Sequence, residues 1–229
     1  MKLSFSTKGW HNNSFEDFCD IAKDLKFAGI ELHNIYGPMF TDKDGAFHDY
    51  TARSTVRKLY EKGLSLPCID TICNPADRNT WDENVKEITA CIEIAENLHI
   101  PYVRIRAIGN ENPEAITDAM ADFISAVLPL AEEKNVVLLV ETSGIYSDTA
   151  RLRELLDRFA CDNLAALWDM YWPYFNSAEQ PETTIKNLGA YIRHVHIKDA
   201  EKGENGTEFC LIGEGEMPIS EMMLGLRSV

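Results

Sequence analysis

Short apolar or β-branched runs alternate along the chain with longer stretches of helical period. The first run is Lys2–Ser6, and Ser14 followed by Asp17 marks a helix start leading to about Phe27. Gly29–His33 (GIELH) is the second run, and a helix over about Thr51–Lys62 stops at Gly63, a residue suited to a left-handed cap. Leu64–Thr71 follows as the third run, then a long helix over about Thr80–Leu98. Tyr102–Ile108 is the fourth run, and Asn112–Pro113 opens a helix lasting to about Lys134. Val136–Glu141 (VVLLVE) is the clearest strand pattern, followed by a helix over about Asp148–Phe159. Leu164–Asp169 (LAALWD) and Ile192–Lys198 (IRHVHIK) flank a helix near Thr183–Leu188. A Gly-rich loop, the segment EFCLIGEGEMP and a helix start at Ile219–Leu226 complete the chain.

The seven strand starts, near residues 2, 29, 64, 102, 136, 164 and 192, recur every 27 to 38 residues. Steady βα spacing implies parallel strands joined by helical crossovers. The first βα turn, STKGWHNN, holds one glycine, which argues against a doubly wound dinucleotide fold and for an α/β (β/α)8 TIM barrel. No composition break divides residues 1–229, so one domain is expected. The eighth strand should begin near 222–232, where the pattern is helical, so the barrel is expected to be truncated before or within it.

Composition narrows the function classes. The chain has 37 acidic and 22 basic residues, a net charge of −15 and 45% hydrophobic residues. That acidity opposes a broad phosphate-binding surface, so neither nucleic acid nor an anionic membrane is an expected partner. No apolar run approaches the roughly 18–20 residues that span a bilayer, and MKLSFSTKGWHNN lacks the apolar stretch of a secretory signal. The six cysteines form no CxxC pair and sit mostly in apolar surroundings, as buried free thiols do. A reduced, cytoplasmic protein is expected.

Reactive groups of a TIM barrel sit at the C-terminal ends of its strands. Glu141 and Asp169 each close a run of five apolar residues, where a carboxylate must be paired, hydrogen-bonded or metal-bound. Strand alternation puts Glu141 on one face with Leu139 and Val137, and Asp169 with Leu167 and Ala165. His194, His196 and Lys198 likewise share a face. If those faces point inward, two carboxylates and an imidazole converge, a donor set suited to divalent Mn, Mg, Co or Zn. The bland reading makes the carboxylates structural, bonded to loop amides and arginines. His33 at the end of strand two, Arg106 near the end of strand four, Trp172, Lys198 and Trp10 are candidate substrate contacts. Each has a packing or surface-pairing alternative, which for Lys198 is a salt bridge to Asp199 or Glu201. Of Arg104 and Arg106, one is expected to pair internally with barrel carboxylates. GEGEMP lacks the Lys-Ser/Thr of a phosphate loop and reads as a turn before a helix.

These segments, in this order, resemble the xylose isomerase-like TIM-barrel superfamily of sugar isomerases and epimerases. GIELH is similar to its second strand, VVLLVETSGIYSDT to its fifth, LAALWDMYWPY to its sixth, and HVHIKD with LIGEGEMP to its seventh strand and following loop. The resemblance covers essentially the whole chain. It implies metal ligands at Glu141, Asp169 and His196, with His194 one layer deeper as a core histidine. It also implies proton transfer next to a carbonyl, with Glu141 as one of two glutamates. The second would close strand eight, beyond the last residue here. Trp172 stands where the family often carries a histidine, which puts the substrate class in doubt more than the fold.

Two readings follow. One is a metal-dependent isomerase or epimerase of a small sugar-like substrate (a ketose, polyol or keto-inositol), with dehydration as sibling chemistry. The other is a non-catalytic or incomplete barrel module of a longer protein that binds a sugar-like ligand or a protein partner. A homo-oligomer closing the open edge is left open as an expectation.

Overall fold

The computed structural model describes residues 1–9, 13–109, 112–204 and 206–229. Seven strands form one parallel sheet in chain order: β1 (Ser4–Ser6), β2 (Gly29–His33), β3 (Cys68–Asp70), β4 (Tyr102–Ile105), β5 (Val137–Glu141), β6 (Leu164–Asp169) and β7 (Ile192–His196). The helices are α1 (Phe15–Asp24), α2 (Pro38–Thr41), α3 (Ala52–Lys62), α4 (Trp81–Leu98), α5 (Pro113–Glu133), α6 (Thr149–Phe159), α7 (Tyr171–Asn176), α8 (Pro181–Leu188) and α9 (Ile219–Gly225). This is the TIM-barrel architecture, with seven parallel strands in barrel order among the described residues. Among the described residues, no strand pairs the free edges of β1 and β7.

Local chemistry places the elements where the pattern put them. Ser14 accepts from the Asp17 amide at 3.2 Å while its own N–H donates to the Asp17 carboxylate at 2.8 Å, closing a capping box on α1. Asn112 caps α5 by accepting from the Ala115 amide, with Pro113 in the first turn. Gly63 ends α3 at φ 70°. Five of the seven runs are shorter than predicted, with β4 ending at Ile105, β5 starting at Val137 and β7 ending at His196. Lys2 and Leu3 precede β1, and Pro67, which has no N–H, confines β3 to Cys68–Asp70.

The segment after β7 differs more. Asp199–Gly203 and Gly206–Cys210 form an antiparallel pair, β8 and β9, where the sequence reading had a loop. The sequence signal was the asparagine preceding Gly206, a favoured hairpin-turn pair. Asp199, next to Lys198, accepts from the amides of Ala200, Gly213, Gly215 and Met217 at 2.7–3.3 Å. The GEGEMP amides therefore serve a buried carboxylate, as befits a turn before a helix.

The large core lies between sheet and helices, from Ile30 and Leu32 through Ile92, Phe123 and Leu155. A separate small cluster of Leu139, Ala165 and Leu167, flanked by Tyr102 and Val137, fills the barrel interior. These are the inward faces expected from alternation. A register shift between Ala166 and Leu167 is decisive for the site. Ala166 pairs with Ile192, but Leu167 pairs with His194 and Asp169 with His196. Without that extra residue in β7, Asp169 would lie beside Val195.

Candidate functional site

A cavity of about 1040 Å³ opens inside the barrel, bordered by Glu31, Asp70, Arg104, Glu141, His196 and Lys198. Each acid or base here follows from its strand. β2 contributes Glu31 and His33, β3 Asp70, β4 Arg104, β5 Glu141, β6 Asp169 and β7 His194 and His196. Glu31, Asp70, Arg104, Glu141 and Asp169 are all 4% exposed or less, so every charge among them needs a partner.

Arg104 is the hub of one network. Its guanidinium contacts the Asp70 carboxylate, donates to Glu141 Oε2 at 2.7 Å and donates to the Thr71 carbonyl at 2.9 Å. His33 Nδ1 lies 2.9 Å from Asp70 Oδ2, and Lys8 Nζ 3.5 Å from the same oxygen. A second network centres on Glu31, whose Oε2 lies 2.9 Å from Nε2 of both His194 and His196. Lys198 Nζ donates to Asp169 Oδ2 at 2.5 Å, and His196 Nδ1 stands 3.9 Å from the same atom. The surface pairing of Lys198 with Asp199 or Glu201 is thus replaced by an inward one.

Glu141, Asp169 and His196 bring one ligand atom each within 4.8 Å of one another. Electrostatics separates the two carboxyls. Burial raises Asp169 above the usual carboxylate range, and Glu141 reinforces this against the pull of Lys198. Burial acts the same way on Glu141, but Arg104, His196 and Lys198 outweigh it, so Glu141 is lowered and ionised. Burial would also raise Glu31, yet the two histidines hold it well below its ordinary value. Burial opposes the charge on His196, but Glu31, Asp169 and Glu141 raise it. His33 is pushed down to about 4, chiefly by burial and then by Lys8, Arg104 and Arg106.

The remaining candidates fall around the rim. Trp172 lies on α7, with the Lys198 ammonium 5.9 Å from its ring centre and Tyr171 edge-on at 5.1 Å. Arg106 borders the cavity and donates to the Ile72 carbonyl at 3.3 Å. His33 turns to Asp70. Trp10 lies outside the described residues. Of the arginine pair, Arg104 is the internally paired one. Sequence reasoning missed Glu31 and Asp70, although Glu31 lies two residues before the noted His33 on the same face of β2 and Asp70 ends β3. Glu31 lies in mid-strand and Asp70 follows two apolar residues of β3, so neither closes a run as long as those that mark Glu141 and Asp169.

Parallel strands in barrel order, with acids, imidazoles and cations gathered at their C-terminal ends, define a TIM barrel of enzyme-like layout. The chain belongs to the xylose isomerase-like TIM barrel family, whose description matches residues 19–228. Among curated proteins it resembles the uncharacterized protein YihM of Escherichia coli (strain K12), 24% identical over 220 residues, covering 92% of this chain and 61% of that protein. The chain therefore spans under two thirds of the length of this curated relative. Among solved structures, IOLI protein with a bound zinc atom superposes with a TM-score of 0.77 at 16% identity, over 99% of this chain and 84% of that one. D-psicose 3-epimerase in the presence of D-fructose gives 0.78 at 15% identity, over 100% and 81%. Likeness at this identity establishes the shared fold. No described helix is long and apolar enough to cross a membrane.

Proposed function

We propose that the protein is a divalent-metal-dependent isomerase or epimerase of a small sugar, polyol or keto-inositol, working by proton transfer at a carbon next to a carbonyl. The observation that carries this reading is the convergence of Glu141, Asp169 and His196 within 4.8 Å at the C-terminal ends of their strands. Family membership supports it, as do the zinc of one structural neighbour and the sugar chemistry named for another.

The residues fit a divalent cation. Burial raises Asp169 and the neighbouring Glu141 charge raises it further, a cost that a bound cation would offset. The donor set is two oxygens and one nitrogen, suited to Mn, Mg, Co or Zn. Such an ion supplies Lewis acidity beside a substrate carbonyl. Glu141 is the proton acceptor in this proposal, kept ionised by Arg104. Glu31 fixes the His196 ring through Nε2, which leaves Nδ1 turned toward Asp169. Trp172, Lys198 and Arg106 border the space a polyol would fill, Trp172 by stacking and the two cations by hydrogen bonding.

A second reading has one observation of its own. The Lys198 ammonium already contacts Asp169, as it would in a barrel that binds a sugar-like ligand or a protein partner without catalysis. Two measurements decide between the readings. Purified protein is expected to retain a divalent ion that Asp169→Ala loses. Incubation with ketoses and inososes in D₂O is expected to wash deuterium into the carbon next to the carbonyl. Glu141→Gln should slow that exchange by about 10²-fold or more. Retained metal without exchange supports the binding module, and neither metal nor exchange removes the enzyme reading.

A further inference from the structure

Cys68 is unlike the other buried cysteines. Cys19, Cys73 and Cys91 pack within the large apolar core, whereas Cys68, also fully buried, is absent from that cluster. Its strand alternates in step with Asp70, so its thiol faces the barrel interior. β2 and β3 pair Leu32 with Ile69 and His33 with Asp70, which puts Glu31 beside Cys68 one position earlier. From the far edge, β7 sends in His194, whose Nε2 lies 2.9 Å from Glu31 Oε2. One ligand atom each from Glu31, Cys68 and His194 lies within 4.8 Å of the others. The thiol's own hydrogen-bond contact is a weak one, to the Ile69 carbonyl at 3.5 Å.

We propose that Glu31, Cys68 and His194 form a second cation site, one layer beneath Glu141, Asp169 and His196, for a thiophilic divalent ion of the zinc class. The ligand types make the choice. Thiolate, imidazole and carboxylate together suit zinc or cobalt, whereas magnesium and calcium take oxygen alone. The two sites therefore differ in chemistry, the upper set lacking sulfur. Binding exchanges the thiol proton for the metal and releases that proton to solvent. Glu31 and His194 border the large cavity, which gives an ion a way in. The site has a mechanical meaning as well. It ties β7, an edge strand, to β2 and β3 on the other side of the opening between β7 and β1. It also keeps Glu31, the residue that orients His196, in place.

The experiment uses the full chain, stripped of metal under reducing conditions and titrated with Co²⁺ alone. The expected result is two equivalents bound and a thiolate-to-cobalt charge-transfer band in the near ultraviolet. Cys68→Ser should abolish the band and leave one equivalent, and His194→Asn should weaken the band-forming event at least 10-fold. Asp169→Ala should remove the other equivalent and keep the band, so the two sites fail separately. Far-ultraviolet circular dichroism confirms that each variant is folded, and Cys68→Ala provides a second replacement if the serine variant is not. A folded wild type that shows no band overturns the proposal, as does a band that survives Cys68→Ser. In the first case Glu31 is simply a hydrogen-bond bridge between two histidines.

Discussion

At the scale of single residues, the site is a set of buried charges that stand only because each has a partner. Arg104 joins Asp70 to Glu141 at 1% exposure, so Arg104→Met strands two carboxylates in the interior. The expected loss is about 3–5 kcal/mol, read from urea unfolding midpoints. His33 gives a signed pH dependence. Its folded pKa of about 4 lies below the ordinary 6.5, so the unfolded chain takes up the proton first. Its contribution to stability is complete above 6.5 and is lost as pH falls toward 4. In His33→Asn the fall in unfolding midpoint across that window should be shallower. Histidine NMR should place the His33 titration well below that of an exposed histidine. Glu141 and Asp169 were legible in the sequence because each closes a long apolar run, and His196 because it shares a strand face with His194 and Lys198. Glu31 and Asp70 close no such run, and their importance comes from distant partners, His194 for Glu31 and His33 and Arg104 for Asp70, which no local pattern reports.

At the scale of elements, the strands were legible because period-two alternation and burial agree, most clearly in β5 and β6. The hairpin β8–β9 was not, because beyond the buried Asp199 and Ala200 its residues are mostly exposed and show no alternating apolar face. The register shift in β7 was also invisible. His194 and His196 share a face whatever the register, and only the pairing shows that Asp169 meets His196. The loop after β5 has its own constraint. Gly144 adopts φ 58°, and a Cβ there would run into the Ala107 carbonyl oxygen. That close approach packs the segment following Glu141 against the end of the β4 loop. Gly144→Ala is expected to lower stability by more than about 1 kcal/mol and to shift the Glu141 carboxylate. Thermal unfolding checks the first effect, and divalent-ion titration of the site proposed at Glu141, Asp169 and His196 checks the second.

At the scale of the molecule, protection is expected to fall from the middle of the sheet to its edges. β5 and β6 are nearly fully buried and paired on both sides, while β1 and β7 are partly exposed and paired on one. Amide hydrogen exchange should be slowest in Leu138–Val140 and Ala165–Trp168, and faster by orders of magnitude in Ser4–Ser6 and Ile192–His196. Uniform protection across the sheet would mean that the edges are covered in solution.

Lys198 on Asp169 and Arg104 on Glu141 have one more consequence. The pocket carries its own counterions. A small zinc domain whose ligands simply repel one another stays unfolded until the metal arrives, because metal affinity is also its folding energy. Here two side-chain cations already quench that repulsion. Under the proposed metal-dependent function, the barrel would assemble first and be loaded afterwards, with the Lys198 ammonium giving up Asp169 to the incoming divalent ion.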